Sequence, residues 1–391
     1  MAEPDTAAPP KKRKSVIKKK PKVETKTKAE KKAKPRSIKP NVYIPSGSSL
    51  VDLACTDTLK GFCTAGHSVN FIGDRNSGKT ALALGCMAET EFRHPGYFDL
   101  KFMDFENAYN FDDEVLYGEK FHKRFDLMSP ENTLEWAIEN VAARIVDDCK
   151  TGPQFIVLDS ADGMKPIVEI QDILDGKPIV AMPYGGPRSK AMTAFFRTVC
   201  PAIAHSGSFM IVLSQAKENM GFDAQFVPKY RAGGKALAFY AHIEMWLAPL
   251  GAIYASKLKI GAWTKARIAR SKCNGKSRTV EFPIMPAYGI DDLRGNLRWL
   301  VEKKVISEHA GITIADAKAQ SKKLGRIVKP ITKGSTDLTN IGIEYLGVYP
   351  ATHIEENDLN DTILIAVKEM WDAIEQDIID KTFGGRKGRY S

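Results

Sequence analysis

The sequence predicts an α/β protein: a mostly parallel, twisted sheet with helices on both faces, preceded by a basic tail and followed by a small C-terminal α/β domain. Three observations predict it. Short apolar runs around Val69–Ile72, Phe155–Leu158 and Phe209–Leu213 have the length and composition of strands buried on both faces. Segments of helical period, Thr133–Cys149 and Ser189–Ala204, alternate with them, the order that builds a parallel sheet. The composition then changes near residue 40 and again near residue 300, giving a tail at 1–40, a core at 41–300 and a smaller domain at 301–391.

The tail holds 15 lysines and arginines against 4 acidic residues, so the net charge of +10 for the whole chain belongs to it and the remainder is close to neutral. With almost no large apolar side chains, residues 1–40 cannot bury enough surface to offset ordering entropy, and disorder is expected. Three readings fit such a segment: an arm that meets nucleic acid by neutralising phosphates, a nuclear-import signal at Pro9–Lys14 (PPKKRK), and a solubilising tail. No apolar run has membrane-spanning length and the N-terminus lacks a signal-peptide core, so no membrane partner is expected. Six cysteines without C-x-x-C spacing read as reduced thiols, which fits a cytoplasmic location.

From Val42 the chain becomes globular. Ser46–Asp52 leads into a short helix, and Gly61 and Gly66 break the path to the next strand. Ser68–Leu84, SVNFIGDRNSGKTALAL, then supplies G-x-x-x-x-G-K-[ST] between an apolar strand and an alanine- and leucine-rich helix. In that context the motif is a phosphate-binding loop: glycines let backbone N–H groups turn toward phosphate oxygens, and the helix N-terminus adds positive partial charge. Gly73, Asp74, Arg75, Asn76, Ser77, Gly78, Lys79 and Thr80 form the expected cradle. Lys79 reaches the outer phosphates, and the Thr80 hydroxyl holds Mg²⁺. The chain is therefore expected to bind a nucleoside triphosphate.

Asp99–Phe105 alternates as a second strand and ends Asp104-Phe105-Glu106. Phe155–Asp159 is an apolar strand that delivers a carboxylate at its C-terminal edge, where ligands of parallel sheets bind, so Asp159 is the expected partner of the Mg²⁺ shell. Residues 161–188, rich in glycine and proline, read as a mobile loop. A strand ending Ser214-Gln215 leads to a second polar loop, 216–232, with Phe222, Phe226 and Tyr230 interleaved among charges. A helix through Tyr240, a strand at Ile243–Ala248 and a hairpin of Lys257–Ala269 with Thr279–Ile284 complete the core. Ile363–Ile379 has helical spacing in Ile365, Met370, Trp371, Ile374 and Ile378.

This order of landmarks, closed by Gly233-Gly234-Lys235-Ala236-Leu237-Ala238-Phe239-Tyr240-Ala241, resembles the RecA recombinase family over roughly residues 45–300. The resemblance implies a RecA-type ATPase core using ATP and Mg²⁺. It also implies a DNA-dependent ATPase that forms a helical filament on single-stranded DNA and pairs it with a homologous duplex in recombination and repair. By the same resemblance Glu106 deprotonates the attacking water and Gln215 senses the γ-phosphate. Residues 163–188 and 216–232 become the two DNA-binding loops, with Lys217, Phe222, Phe226, Lys229, Tyr230 and Arg231 as contacts. Arg270 and Lys272 reach the neighbouring subunit's γ-phosphate. The bland readings are a turn cap for Glu106, loop packing for the aromatics and surface charges for the cations. A ring helicase on the same core and a non-catalytic mediator are the rival functions.

Three departures stand out. Arg75 occupies a position where bacterial RecA has glutamate. The first DNA loop has no arginine in register, leaving Arg188 and Arg197 as nearby candidates. The N-terminal docking helix has no counterpart in residues 1–40, and the extended segment 41–45 is the candidate replacement. Such drift is typical of phage-encoded relatives, which places the protein with DNA in a prokaryotic or phage-infected cell.

Overall fold

The computed structural model describes residues 42–129, 133–177, 186–218, 229–231, 234–255, 257–286, 289–303 and 360–383. The tail 1–40, the loop tips containing Phe222 and Phe226, and residues 304–359 lie outside them.

The strands are β1 (Tyr43–Ile44), β2 (Cys63–Thr64), β3 (Ser68–Gly73), β4 (Asp99–Asp104), β5 (Phe125–Met128), β6 (Gln154–Asp159), β7 (Phe209–Glu218), β8 (Lys229–Arg231), β9 (Ile243–Ala255), β10 (Leu258–Ser271), β11 (Arg278–Met285) and β12 (Gly289–Ile290). The helices are α1 (Ser49–Thr56), α2 (Lys79–Arg93), α3 (Asp113–Tyr117), α4 (Glu119–His122), α5 (Ile138–Thr151), α6 (Ile167–Leu174), α7 (Pro187–Ser206), α8 (Gly234–Tyr240), α9 (Asp292–Glu302) and α10 (Asn360–Phe383). The main sheet runs β12-β11-β10-β9-β3-β7-β6-β4-β5, with β8 paired to β7. From β9 to β5 every neighbouring pair is parallel, whereas β9 through β12 form an antiparallel meander.

Alternation along the central strands feeds two cores. Phe155, Val157, Phe209, Ile211 and Leu213 face one with α1, α2, α9 and α10. Ile156, Leu158, Met210 and Val212 face the other with α5, α7 and α8. Burial on both faces explains why these strands read as unbroken apolar runs. The expected mostly parallel sheet with helices on both faces is the one observed.

Four expectations change. Residues 161–188 contain α6, because Ile167, Ile170 and Leu174 carry a helical stripe that the surrounding glycines and prolines obscure, and Ile170 is buried. The second loop starts and ends as a ladder, with Ala216, Lys217 and Glu218 opposite Arg231, Tyr230 and Lys229. Strand β9 continues past Pro249, whose ring falls beside an irregularity in register opposite Trp263 and Thr264, where a missing N–H is tolerated. In α10 the buried stripe is Ile363, Val367 and Trp371, with Ile365 and Ile378 exposed. That stripe packs on the first core: Trp371 stacks on Trp299 at 6.0 Å, and Glu375 accepts from Arg278 through two bonds of 2.7 and 2.6 Å.

Candidate active site

Parallel register brings the C-terminal ends of β3, β7, β6 and β4 to one edge of the sheet. Gly73 lies opposite Gln215, and Asp104 opposite Asp159. This edge is where an open α/β sheet binds ligands.

The loop from Gly73 to Gly78 admits no side chain at either end, because neighbouring groups close on its backbone. Gly78 sits at φ +86°, and a Cβ there would lie 2.3 Å from the Ile284 side chain. A Cβ on Gly73 would meet the Ser77 hydroxyl at 2.3 Å and the Leu247 carbonyl at 2.5 Å. Helix α2 begins at Lys79 with no side-chain cap, so its first N–H groups remain available to an anion. Lys79 donates to the carbonyls of Gly73 at 3.0 Å and Asp74 at 2.8 Å. Burial lowers its pKa, opposed by the carboxylates of Asp159, Glu106, Asp74 and Asp162. Arg75 and Asn76 stand exposed at the loop crest. The cradle therefore fits a polyphosphate.

Thr80 donates its hydroxyl to Asp159 at 2.8 Å, putting two oxygen donors beside the cradle. A hydroxyl and a carboxylate fit a hard divalent cation that completes its shell from phosphate and water. Burial raises Asp159 to about 6, with Glu106 and Asp104 adding to the rise and Thr80 and Lys79 opposing it. The folded state thus holds a proton that the unfolded chain has already released between about pH 4 and 6, and stability falls as pH rises through that window. Asp159→Asn keeps an acceptor for Thr80 and removes the buried charge. Its thermal midpoint near neutral pH is expected to rise, within a ceiling of roughly 3 kcal/mol, while cation-dependent turnover is lost. Melts at about pH 5 and pH 7 check this; a lower midpoint at neutral pH contradicts it.

Glu106 is placed by Asp104. The buried Asp104 carboxylate accepts from the N–H of Glu106 at 3.1 Å and of Tyr109 at 2.7 Å, fixing the turn that follows β4. One Glu106 oxygen, Oε1, accepts from the Ser160 hydroxyl and from the Gln215 amide at 2.9 Å. Gln215 is itself held through its N–H by Asp162 at 2.9 Å. Sequence reasoning did not assign roles to Asp104, Ser160 and Asp162. The D-x-E spacing carried a signal for Asp104 and the Asp159-Ser160 strand end one for Ser160, whereas Asp162 is tied to Gln215 only by the fold.

The remaining candidates divide. Arg188 donates to the carbonyl of Ala161 at 2.9 Å and to that of Asp162 at 2.5 Å, tying α7 to the loop after β6. Arg197 is exposed on α7 beside Ser189, Lys190 and Thr193. Lys217 and Tyr230 are exposed on the β7–β8 ladder. Lys229 is paired with Asp74 of the phosphate loop, and Arg231 forms a 2.8 Å pair with Glu244. Arg270 and Lys272 do not join the site. Arg270 donates to the carbonyl of Ala238 at 2.5 Å and to that of Ala241 at 2.7 Å, and Lys272 to that of Phe239 at 3.2 Å, all at the C-terminus of α8. Through Glu244, Arg270 is in register with Asn70, midway along β3 and three residues from Gly73.

The family model described as the RecA N-terminal domain matches residues 25–291. Protein RecA of Acidothermus cellulolyticus is 31% identical over 252 residues, 63% of this chain and 66% of that protein. Protein RecA of Geobacter metallireducens is 28% identical over 270 residues, covering 68% and 73%. Protein RecA of Rhodopseudomonas palustris is 28% identical over 302 residues, covering 76% and 79%. The chain thus spans just under two thirds of the length of the first of these relatives.

Proposed function

Because the chain belongs to the RecA family, we propose that it is a DNA-dependent ATPase and recombinase that assembles on single-stranded DNA and pairs it with a homologous duplex. The observation that carries this reading is the bond from Gln215 to Glu106. It joins the carboxylate beside the triphosphate cradle to the strand that runs directly into the second polar loop.

In this mechanism the cradle and Lys79 hold the outer phosphates, and Thr80 with Asp159 holds Mg²⁺. The cation supplies charge neutralisation for the triphosphate. Glu106 takes the proton from the attacking water with Oε2, since Oε1 is engaged by Ser160 and Gln215. A shift of β7 and β8 as the loop grips DNA would move the Gln215 amide and so retune the carboxylate. Arg270 stands about 10 Å along the sheet from the level of Gly73, at ~3.3 Å per residue, and Lys272 about 16 Å. They would serve a neighbour's triphosphate, in the manner of an arginine finger supplied in trans. The lysine-rich tail would draw in duplex DNA electrostatically. Among the described residues no helix is long and apolar enough to cross a membrane.

The test is joint-molecule formation between circular single-stranded DNA and a linear duplex. Products are expected only with ATP, Mg²⁺ and homology. Fork unwinding without any need for homology would favour the ring helicase, and ATP binding without DNA-stimulated turnover would favour the mediator.

A further inference from the structure

The turn between β10 and β11, which carries Lys272, is strapped to the body of the protein at both ends. At the first end the Ser271 hydroxyl donates to the Cys55 carbonyl at 2.9 Å, and the N–H of Lys272 donates to the His242 carbonyl at 2.9 Å. At the second end two carboxylates from elements distant in sequence converge. Asp57, which closes α1 in the left-handed region at φ 59°, accepts from the Asn274 amide at 3.2 Å and pairs with Lys276 at 3.0 Å. Glu375 of α10 pairs with Lys276 at 2.9 Å and accepts both bonds of the Arg278 guanidinium, at 2.7 and 2.6 Å. One turn earlier on α10, the Trp371 indole N–H donates to Asp57 at 3.4 Å. Residues four apart share a helix face, so α10 touches both halves of this cluster.

Two cations and two carboxylates leave the cluster neutral. An exposed ion pair contributes little, but a bidentate arginine–carboxylate pair inside a network is the exception. The Glu375 side chain is 13% exposed, and its loss would leave two cations and one carboxylate. We propose that Glu375 is a positioning residue for the cations supplied in trans: by holding Lys276 and Arg278 it fixes the turn that carries Lys272 and the end of β10 that carries Arg270. The inference rests on the reading of Arg270 and Lys272 as completing a neighbour's site. Glu375 acts on the backbone of the turn, so the two side chains can exchange the carbonyls of α8 for a neighbour's phosphates without the turn itself moving. Such placement matters because a misplacement of about 1 Å can cost a hundredfold in rate.

The experiment mixes full-length variants with single-stranded DNA, ATP and Mg²⁺. Glu375→Gln alone is expected to bind a fluorescent ATP analogue and to turn ATP over at least about tenfold more slowly than the wild type. In equal mixture with Glu106→Gln it should recover up to about a quarter of wild-type turnover, because roughly one interface in four joins an intact Glu106 to cations held by an intact Glu375. In mixture with Arg270→Ala it should gain nothing, since both defects lie on the donating side of the interface. Lys276→Gln, on the turn itself, should sort the same way and keeps the test decisive if Glu375→Gln fails to fold. Turnover of both variants within about twofold of the wild type, recovery with Arg270→Ala, or recovery with neither partner would overturn the proposal. The pairing of Glu106→Gln with Arg270→Ala runs beside them. If that pair recovers and the Glu375→Gln mixtures do not sort as stated, the role of Glu375 alone is lost. If that pair stays inactive, the reading in trans is lost and this inference with it.

Discussion

Glu106→Gln is expected to bind ATP as the wild type does and to hydrolyse it about 10²–10⁴ times more slowly, the range a positioned general base supplies. Glutamine preserves the size of the side chain, and its carbonyl oxygen can still accept from Ser160 and Gln215, as Oε1 of Glu106 does. What disappears is the basicity of the second oxygen. The Asp104 turn stays in place because it rests on backbone N–H groups, so the substitution isolates proton transfer from geometry. Single-turnover hydrolysis in the presence of single-stranded DNA, with nucleotide binding measured separately, reads the two effects apart. Turnover within about tenfold of the wild type would remove Glu106 from the proton-transfer step. Loss of nucleotide binding would mean that its role is to shape the pocket.

Much of this site was legible because its chemistry is written in contiguous residues. The cradle occupies Gly73–Thr80, and the strand ends at Asp104-Phe105-Glu106, Asp159-Ser160 and Ser214-Gln215 mark where a parallel sheet presents its ligands. The fold was legible for a related reason: strands buried on both faces lose their polar alternation and stand out from amphipathic helices such as α5.

What the sequence hid is what depends on distant pairing. Lys229 reads as a free loop cation, yet it meets Asp74 across 155 positions of chain. Arg231 looks solvated until β7 and β8 pair and bring Glu244 against it. The stripe of α10 was legible in part: Met370, Trp371 and Ile374 pack on the core as their helical spacing suggests, but Ile365 and Ile378 are apolar and face solvent, while Ile363 and Val367, four residues apart and in line with Trp371, complete the buried face.

The central claim is that each triphosphate is hydrolysed at a site completed by the neighbouring copy. Within one chain the cations that would finish the site are turned away from it, bound to the C-terminal carbonyls of α8. A head-to-tail contact is the kind that places one subunit's far edge against the next subunit's cradle. The most direct measurement mixes two inactive proteins, Glu106→Gln and Arg270→Ala, in equal amounts with single-stranded DNA, ATP and Mg²⁺. Random assembly places an intact Glu106 beside an intact Arg270 at roughly one interface in four, so the mixture should recover up to about a quarter of wild-type turnover although neither protein turns over alone. A mixture no more active than its separate components, with both variants folded and bound to DNA, would contradict the account and leave Arg270 as a cap on its own helix.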